Sequence, residues 1–251
     1  MNEKSRSTVL ISGGAGKMGV LITDYLSSQD NYEIIGIYDP GFSSEDYPSI
    51  TNLDDINPDY ILEFSPASAV NENIQKWSTK TSDLIIGSSG ISDESISLLK
   101  TLDQNRKVVV IPNFSIGAAY QKLLSIALSK DFENVHIIEK HHENKQDAPS
   151  GTSSDLASSL FDISSKSLVT HDGEHNNING INIYSVRGEE FLAEQIVKFE
   201  SKYETFSMEH IVNDRSAYLY GISLVFDEIK NLSKFTLGLE TILAQKISIL
   251  S

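Results

Sequence analysis

The chain has 251 residues, no cysteine and a formal net charge of −15. The lack of cysteine excludes disulfides, thiolate metal sites, iron–sulfur clusters and a cysteine nucleophile, and the acidic balance disfavours non-specific binding to nucleic acid or anionic membranes. Hydrophobic residues make up 39% of the chain, enough to form a folded core. No apolar run has the length of a signal segment or a membrane span, so we expect a cytoplasmic protein.

The first half of the chain alternates short apolar runs with amphipathic stretches. Continuous apolar runs predict buried strands at residues 9–11, 33–38, 60–64, 84–87 and 108–111. Helical spacing of apolar residues predicts helices at residues 18–26, 67–77 and 94–102. Strand–helix alternation of this kind is typical of a parallel sheet with helices on both faces. The first 112 residues therefore predict a Rossmann-type, doubly wound α/β domain.

The pattern changes after Pro112. Helices are predicted at residues 117–128 and 155–161, a strand at 134–140, and further helices at 216–226 and 237–247. Alternating stretches at residues 181–186, 196–200 and 205–212 predict strands with one solvated face, whereas the composition of residues 176–180 predicts a loop. We expect two domains, residues 1–112 with 216–251 and residues 113–215. The second is expected to be a smaller α+β domain with an open mixed sheet of about four strands.

The loop after the first predicted strand fits the pattern Gly-x-Gly-x-x-Gly, with its last glycine at position 19. Glycine there allows a tight turn, close approach of a pyrophosphate and close packing of the next helix, whose first N–H groups face the phosphates. The second strand is followed, about 20 residues beyond this loop, by a carboxylate that fits the ribose hydroxyls of NAD. A glycine-rich turn without a ligand is the alternative. The expected dinucleotide-binding residues are Gly13, Gly14, Ala15, Gly16, Lys17, Met18 and Asp39.

The charge of Asp39 predicts a preference for NADH over NADPH. A carboxylate repels the 2′-phosphate of NADPH, and Pro40 and Gly41 leave no arginine beside Asp39 to bind that phosphate. The positive charge of Lys17 acts in the opposite direction and offsets part of this repulsion.

Residues 139–152 hold two adjacent histidines, His141 and His142, a cation at Lys145, and a Ser-Gly-Thr sequence before a predicted helix. Histidine suits proton donation near neutral pH, and lysine supplies a positive charge for an anionic substrate. Ser150 to Thr152 have the composition of a helix N-cap, whose amides bind carboxylates. A solvated charged loop and an ordinary helix cap are alternatives. A metal site is disfavoured because no His-x-x-x-His spacing occurs.

These motifs, in this order, resemble those of the dihydrodipicolinate reductase (4-hydroxy-tetrahydrodipicolinate reductase) family over residues 9–221. The most specific match is the segment from Glu139 to Thr152. The glycine loop also matches, as do residues 63–66, 87–90, 112–117, 185–188 and 210–215. The resemblance implies an NAD(P)H-dependent oxidoreductase that reduces a cyclic dicarboxylate to tetrahydrodipicolinate in lysine and diaminopimelate biosynthesis. It also implies a homotetramer, with residues 113–215 binding substrate and mediating oligomerisation.

The resemblance assigns roles to individual residues. His141 would donate a proton to the ring carbon next to the one that receives hydride, and Lys145 would bind a substrate carboxylate and stabilise charge. The second carboxylate and its neighbours would be bound by His142, Ser150, Gly151 and Thr152. The nicotinamide region would be lined by Gly87, Ser88, Ser89, Ile111, Pro112, Asn113 and Phe114. Additional cations for the anionic ligands are expected at Arg187 and Arg215.

Several positions depart from the family pattern. Lys17 replaces a common arginine, Glu63 replaces an aspartate, and Ser88 and Ser89 replace two threonines. Glu189 and residues 193–195 also differ. None of these positions is His141 or Lys145, so the departures bear on cofactor preference and on the sheet rather than on the reaction.

Two other functions remain open. Another two-domain NAD(P)-dependent oxidoreductase, such as an amino-acid or sugar dehydrogenase, accounts for the glycine loop but not for residues 141–152. A non-catalytic nucleotide-binding sensor needs only the first domain and leaves His141 and Lys145 without a role. Among the other histidines, a structural or solvent-facing position is expected for His136, His171 and His175.

Overall fold

A computed structural model describes residues 6–102, 105–161 and 176–247. His171 and His175 lie outside the described residues. The chain divides into two compact units, one of Met1–Phe114 with Gly221–Ile242 and one of Ser115–Tyr220 with Leu243–Ser251. In the described part of the chain, no helix combines the length and the apolar character needed to cross a bilayer.

The elements of the first unit follow the predicted alternation as far as the fifth strand. In chain order they are β1 (Ser7–Ser12), α1 (Lys17–Ser27), β2 (Tyr32–Tyr38), β3 (Tyr60–Glu63), α2 (Ala67–Ser78), β4 (Asp83–Ile86), α3 (Asp93–Thr101) and β5 (Val108–Val110). The later elements are α4 (Ile116–Leu128), β6 (Asn134–His141), α5 (Gly151–Phe161), β7 (Asn176–Ile178), β8 (Ile181–Arg187), β9 (Ala193–Glu200), β10 (Thr205–Val212), α6 (Ala217–Glu228), β11 (Phe235–Leu237) and α7 (Leu239–Ile247).

The first unit contains a six-stranded, fully parallel sheet in the order β11-β5-β4-β3-β1-β2, as a Rossmann-type fold requires. The five predicted strands are all confirmed. The sixth strand, β11, corrects the prediction of a helix from residue 237. Three residues are too few for periodicity to distinguish a strand from the start of a helix, so pairing with β5 decides the conformation.

The core of this unit is built around a buried tryptophan. Trp77 of α2 is fully buried with Leu10, Ile61 and Leu84 from three neighbouring strands. Its indole Nε1 donates a 2.6 Å hydrogen bond to Oε2 of Glu63, which is itself fully buried at the end of β3. A buried carboxylate is tolerated only when donors surround it. This bond therefore fixes α2 to the carboxyl end of β3.

The second unit contains a five-stranded mixed sheet in the order β10-β9-β6-β8-β7, in which only the β6–β8 pair is parallel. Helices α4 and α5 contact this sheet and each other, and their apolar residues share a core with the strands. Five strands replace the predicted four because residues 176–178, predicted as loop, form β7. Asn179 and Gly180 have φ values of 53° and 88° and make the tight turn into β8.

Candidate active site

The glycine loop between β1 and α1 is held tightly against the carboxyl end of β3. Gly13 has φ +81°, and a Cβ at this position would lie 2.6 Å from the Phe64 carbonyl and from the Ser65 nitrogen. A Cβ on Gly19 would lie 2.2 Å from the Gly13 carbonyl oxygen. Both positions therefore require glycine, as close packing of the first helix on the loop demands.

The start of α1 is suited to an anion. Its N-cap is Gly16, which makes no side-chain cap, and the first turn contains no acidic residue. Ala15, Gly16 and Lys17 are exposed, and Met18 is half-buried. Unscreened N–H groups at a helix start attract phosphate oxygens. The residues present therefore fit the pyrophosphate of a dinucleotide.

Asp39 lies directly beside the glycine loop. Its Oδ2 accepts a hydrogen bond from the Ala15 N–H at 3.0 Å, and its Oδ1 accepts one from the Gly41 N–H at 2.8 Å. The sequence predicted a ribose-binding carboxylate, and the structure adds a brace between the loop and the end of β2. Each carboxylate oxygen has a second lone pair, which leaves acceptor capacity for a ribose hydroxyl.

The proposed nicotinamide region is formed by the segments after β3, β4 and β5. A Cβ on Gly87 would lie 2.2 Å from Cε1 of Phe64 and 2.8 Å from Cε2 of Phe114, so these rings pack directly against the Gly87 backbone. Ser88 is buried, and its hydroxyl donates to the Glu63 carbonyl at 3.2 Å. Of the other predicted residues, Ile111 is buried, Asn113 half-buried, and Ser89 and Pro112 exposed.

Within the second unit, strand β6 brings a carboxylate into the apolar core. Val135, Ile137 and Glu139 alternate along one face, and all three are buried. Glu139 has no solvent exposure and accepts hydrogen bonds from the Ser150 N–H, the Ser153 hydroxyl and the Ser185 hydroxyl. Burial raises the pKa of Glu139, but these donors outweigh that effect and hold the pKa below its ordinary value.

His141 follows Glu139 on the same face of β6. Its Nε2 lies 3.8 Å from Oε2 of Glu139, and its side chain is 15% exposed. Burial lowers the pKa of His141; Lys145 and Arg187 act in the same direction, whereas Glu139 opposes them. The net effect lowers the pKa of His141 and so favours the neutral imidazole.

Lys145 is paired with a carboxylate. Its Nζ lies 2.7 Å from Oδ1 and 2.9 Å from Oδ2 of Asp147. Burial raises the pKa of Asp147, and the Lys145 ammonium lowers it, with a net lowering. Arg187 secures the same turn, because its Nη2 donates to the Asp147 carbonyl at 2.5 Å. The cation predicted for the substrate is thus paired with an internal carboxylate.

The start of α5 confirms the predicted helix cap. The Ser150 hydroxyl accepts a 3.3 Å hydrogen bond from the Ser153 N–H, and helix α5 begins at Gly151 rather than near residue 155. Ser150 is buried, whereas Gly151 and Thr152 are exposed and His142 is half-buried. Substrate binding by these four residues stays a prediction, and the hydroxyl of Ser150 is already used inside the protein.

Sequence reasoning included Glu139 in the matching segment but assigned no role to it or to its donors Ser153 and Ser185. A signal was present, since Glu139 occupies an inward position in an alternating strand where the neighbouring inward residues are apolar. The sequence does not show which residues donate to Glu139, because a donor such as Ser185 lies on a different strand.

The two units and the chemistry of their residues define an oxidoreductase with a dinucleotide-binding fold. The N-terminal model of dihydrodipicolinate reductase matches residues 7–114, and the C-terminal model matches residues 116–243. The chain belongs to the dihydrodipicolinate reductase family.

Individual relatives agree with this assignment. The 4-hydroxy-tetrahydrodipicolinate reductase of Dictyoglomus turgidum is 31% identical, over 94% of this chain and 97% of the relative. The dipicolinate-bound dihydrodipicolinate reductase of Paenisporosarcina sp. TG-14 has a TM-score of 0.80 and 26% identity, over 94% of this chain and 99% of that one. GenD2 from gentamicin A biosynthesis, in complex with NAD, shares the fold (TM-score 0.59, 12% identity, 90% and 87% coverage).

Proposed function

We propose that this protein reduces 4-hydroxy-tetrahydrodipicolinate to tetrahydrodipicolinate, in the pathway to diaminopimelate and lysine. The observation that carries the proposal is that His141 and the start of α5 meet at one buried carboxylate, Glu139, with the Lys145–Asp147 ion pair in the turn between them, in a chain of this family. The net reaction consumes a hydride and a proton and releases water. A cyclic dicarboxylate is consistent with the related structure, which holds dipicolinate.

His141 is the proposed proton donor. Its environment favours the neutral ring, because burial and two neighbouring cations lower its pKa. A bound dianionic substrate adds negative charge beside the ring and favours the protonated form. Proton donation is therefore coupled to substrate binding. The proton passes to the ring carbon adjacent to the one that accepts hydride.

Lys145 is the proposed ligand of one substrate carboxylate. In the absence of substrate its charge is balanced by Asp147. An incoming carboxylate of the same geometry takes the place of Asp147, so the ammonium stays paired with an anion before and after substrate binding. The second carboxylate is proposed to bind near His142, Ser150, Gly151 and Thr152, at the amino end of α5.

The bound nicotinamide supplies the hydride. Lys17 and the start of α1 are proposed to hold its pyrophosphate, and Asp39 the adenosine ribose. The segments after β4 and β5 are proposed to line the nicotinamide, with Phe64 and Phe114 packed 5.6 Å apart behind Gly87. The chain itself supplies position, cations and a proton.

The proposal is tested by following oxidation of NADH while purified dihydrodipicolinate synthase supplies the unstable substrate. We expect NADH oxidation that depends on the synthase and on both of its substrates. An amino-acid or sugar dehydrogenase would instead oxidise or reduce its own substrates and give no signal in this assay. A nucleotide sensor would bind NADH with no turnover.

Asp39 is expected to favour NADH. Replacing it with alanine removes the charged acceptor for the ribose hydroxyls and also the brace on the Ala15 N–H, so kcat/KM with NADH should fall about tenfold or more. The ratio of kcat/KM for NADPH to that for NADH should rise, because the repulsion of the 2′-phosphate is lost. Asp46→Ala, an exposed acidic position farther along the same segment, is the matched control and should keep the wild-type ratio. A wild-type enzyme with a strong preference for NADPH would contradict this prediction.

We also propose that the protein is a homotetramer assembled through the sheet of the second unit. In the register of β6, β9 and β10, Ile138, Ile196 and Glu209 lie side by side on the face opposite the buried core residues. Val186 and Ile211, on this same face, are 40% and 46% exposed. Exposed apolar side chains among charged ones on a sheet face are a surface that oligomerisation can cover.

A charge in this face is expected to dissociate the assembly. Ile196→Lys should reduce the mass measured by light scattering from that of four chains to that of one or two, because an ammonium in an apolar interface is costly. Ser158→Lys, on the exposed side of α5, adds the same charge elsewhere and should leave the mass unchanged. A wild-type monomer would contradict the proposal.

A further inference from the structure

We propose that Glu139 is a positioning residue for the reductase reaction: it fixes the amino end of α5 to β6 and β8 and keeps a negative charge beside His141. This inference rests on the proposed function, since it concerns the residues proposed to donate the proton and to bind the second carboxylate. Glu139 itself is fully buried and is not proposed to touch the substrate.

The carboxylate of Glu139 joins three segments that are distant in sequence. It stands on β6, and the Ser150 N–H donates to both of its oxygens, at 3.0 and 2.9 Å. From the first turn of α5, the Ser153 hydroxyl donates at 2.7 Å. From β8, the Ser185 hydroxyl donates at 2.8 Å and Nη2 of Arg187 at 3.1 Å. A single side chain therefore determines where α5 begins relative to both strands.

A second layer of hydrogen bonds orients these donors. Nε2 of Gln195, on β9, donates to the Ser153 hydroxyl at 2.7 Å, and that hydroxyl donates onward to Glu139. Nε2 of Gln121, on α4, donates to the Gln195 carbonyl at 3.0 Å. All three side chains are buried. A buried hydrogen-bond network of this kind favours one geometry over its alternatives, because a donor or acceptor that loses its partner in the core is costly.

The position of Glu139 also governs the charge environment of His141. Four groups face the ring: Glu139 on β6, Lys145 in the following turn, Arg187 on β8 and the backbone carbonyl of Leu192 before β9. Lys145 and Arg187 disfavour the imidazolium, whereas Glu139 and the carbonyl favour it. Among these groups of the described chain, Glu139 is the carboxylate, and its charge offsets those of the cations Lys145 and Arg187.

Glu139→Gln tests the proposal, because it removes the charge and keeps the size of the side chain. We expect His141 to titrate at lower pH than in the wild type, as followed by NMR of labelled histidine with His141→Gln to assign the resonance. The proton-donating form disappears as pH rises through the pKa of His141. The fall of kcat at high pH should therefore begin at lower pH in Glu139→Gln, and kcat at pH 8 should drop about tenfold or more.

Glu143→Gln is the matched control. Glu143 is exposed in the same segment, so its substitution changes the net charge equally but should leave both the titration of His141 and the kcat profile at their wild-type positions. A folded Glu139→Gln protein whose His141 titrates as in the wild type would overturn the proposal. The titration needs neither substrate nor cofactor. Its failure is therefore distinguishable from a failure of the reductase assignment, which the NADH assay of the wild type reports.

If circular dichroism shows that Glu139→Gln does not fold, a charge-retaining variant tests the positioning role. Ser153→Ala with Ser185→Ala removes two hydroxyl donors and leaves the carboxylate in place. We expect KM for the dicarboxylate substrate to rise several-fold, because the start of α5 is less firmly held, while His141 titrates as in the wild type. An unchanged KM would overturn the positioning role, since the same hydroxyls would then matter only for stability.

Discussion

Replacing His141 with glutamine is expected to lower kcat by about 10²–10⁴-fold, the usual contribution of a general acid. Glutamine keeps a polar side chain of similar length but cannot carry a proton to carbon. The dissociation constant for NADH should stay at the wild-type value, because the predicted dinucleotide-binding residues belong to the first unit and His141 to the second. The loss should therefore appear in kcat and not in cofactor affinity.

The measurement combines steady-state turnover in the coupled assay with NADH titration by fluorescence. His136→Gln is the matched control, since it makes the same change five residues earlier and on the opposite face of β6, where the ring Nδ1 lies 3.9 Å from Oε2 of Glu200. This control should retain most of the turnover. Turnover of His141→Gln close to that of the wild type would remove His141 from the proton-donating role and leave Lys145 or a water molecule to be considered.

Much of the first unit was predictable because burial on both faces leaves a simple trace in the sequence. Strands β3 and β5 are buried at every position, so β5 reads as an unbroken apolar run and β3 as an apolar run that ends in Glu63. The glycine loop was equally predictable. Gly13 is required by its contact with the segment after β3, and Gly19 by its contact with the Gly13 carbonyl. Strand β11 has no comparable sequence pattern, because it is only three residues long and forms by pairing with β5.

The residue at position 63 shows how a departure from the family pattern became interpretable only in the structure. The sequence shows only a glutamate where an aspartate is common. In the fold, the longer side chain reaches Nε1 of Trp77 through Oε2, while Oε1 accepts from the Ser65 N–H at 2.8 Å. The two oxygens thus connect the turn after β3 with the last turn of α2. This contact depends on a tryptophan fourteen positions away, and no local sequence pattern predicts it.

The residues of the proposed substrate site were found in the sequence, but their present partners were not. Motif order placed His141 and Lys145 in one segment, and local turn chemistry predicted the cap at Ser150. The ion pair of Lys145 with Asp147 and the network around Glu139 depend on side-chain directions, which sequence spacing alone does not fix. The same limit explains Asn179 and Gly180, whose composition marks a turn without saying whether strands flank it.

Replacing Lys145 with methionine is expected to lower kcat/KM for the dicarboxylate substrate by about 10²–10³-fold, as the loss of one preorganised electrostatic contact does in other enzymes. Methionine keeps the apolar stem and removes the charge that pairs with a substrate carboxylate. Lys140→Met is the matched control, because Lys140 lies in the same segment, on β6, but its Nζ pairs with Oε2 of Glu194 at 2.9 Å. The control should keep kcat/KM close to the wild-type value.

Replacing Asp147 tests the same prediction with the opposite expected change in KM. If Asp147 holds the place of a substrate carboxylate, Asp147→Asn removes the competing charge and should lower KM for the substrate, while Lys145→Met raises it. Both constants come from the coupled assay at fixed NADH. A rise of KM in both variants would show that the pair is needed intact to shape the turn, and that the carboxylate exchange does not occur. Opposite changes in KM require Lys145 to pass from an internal anion to the substrate, which is the exchange that the geometry predicts.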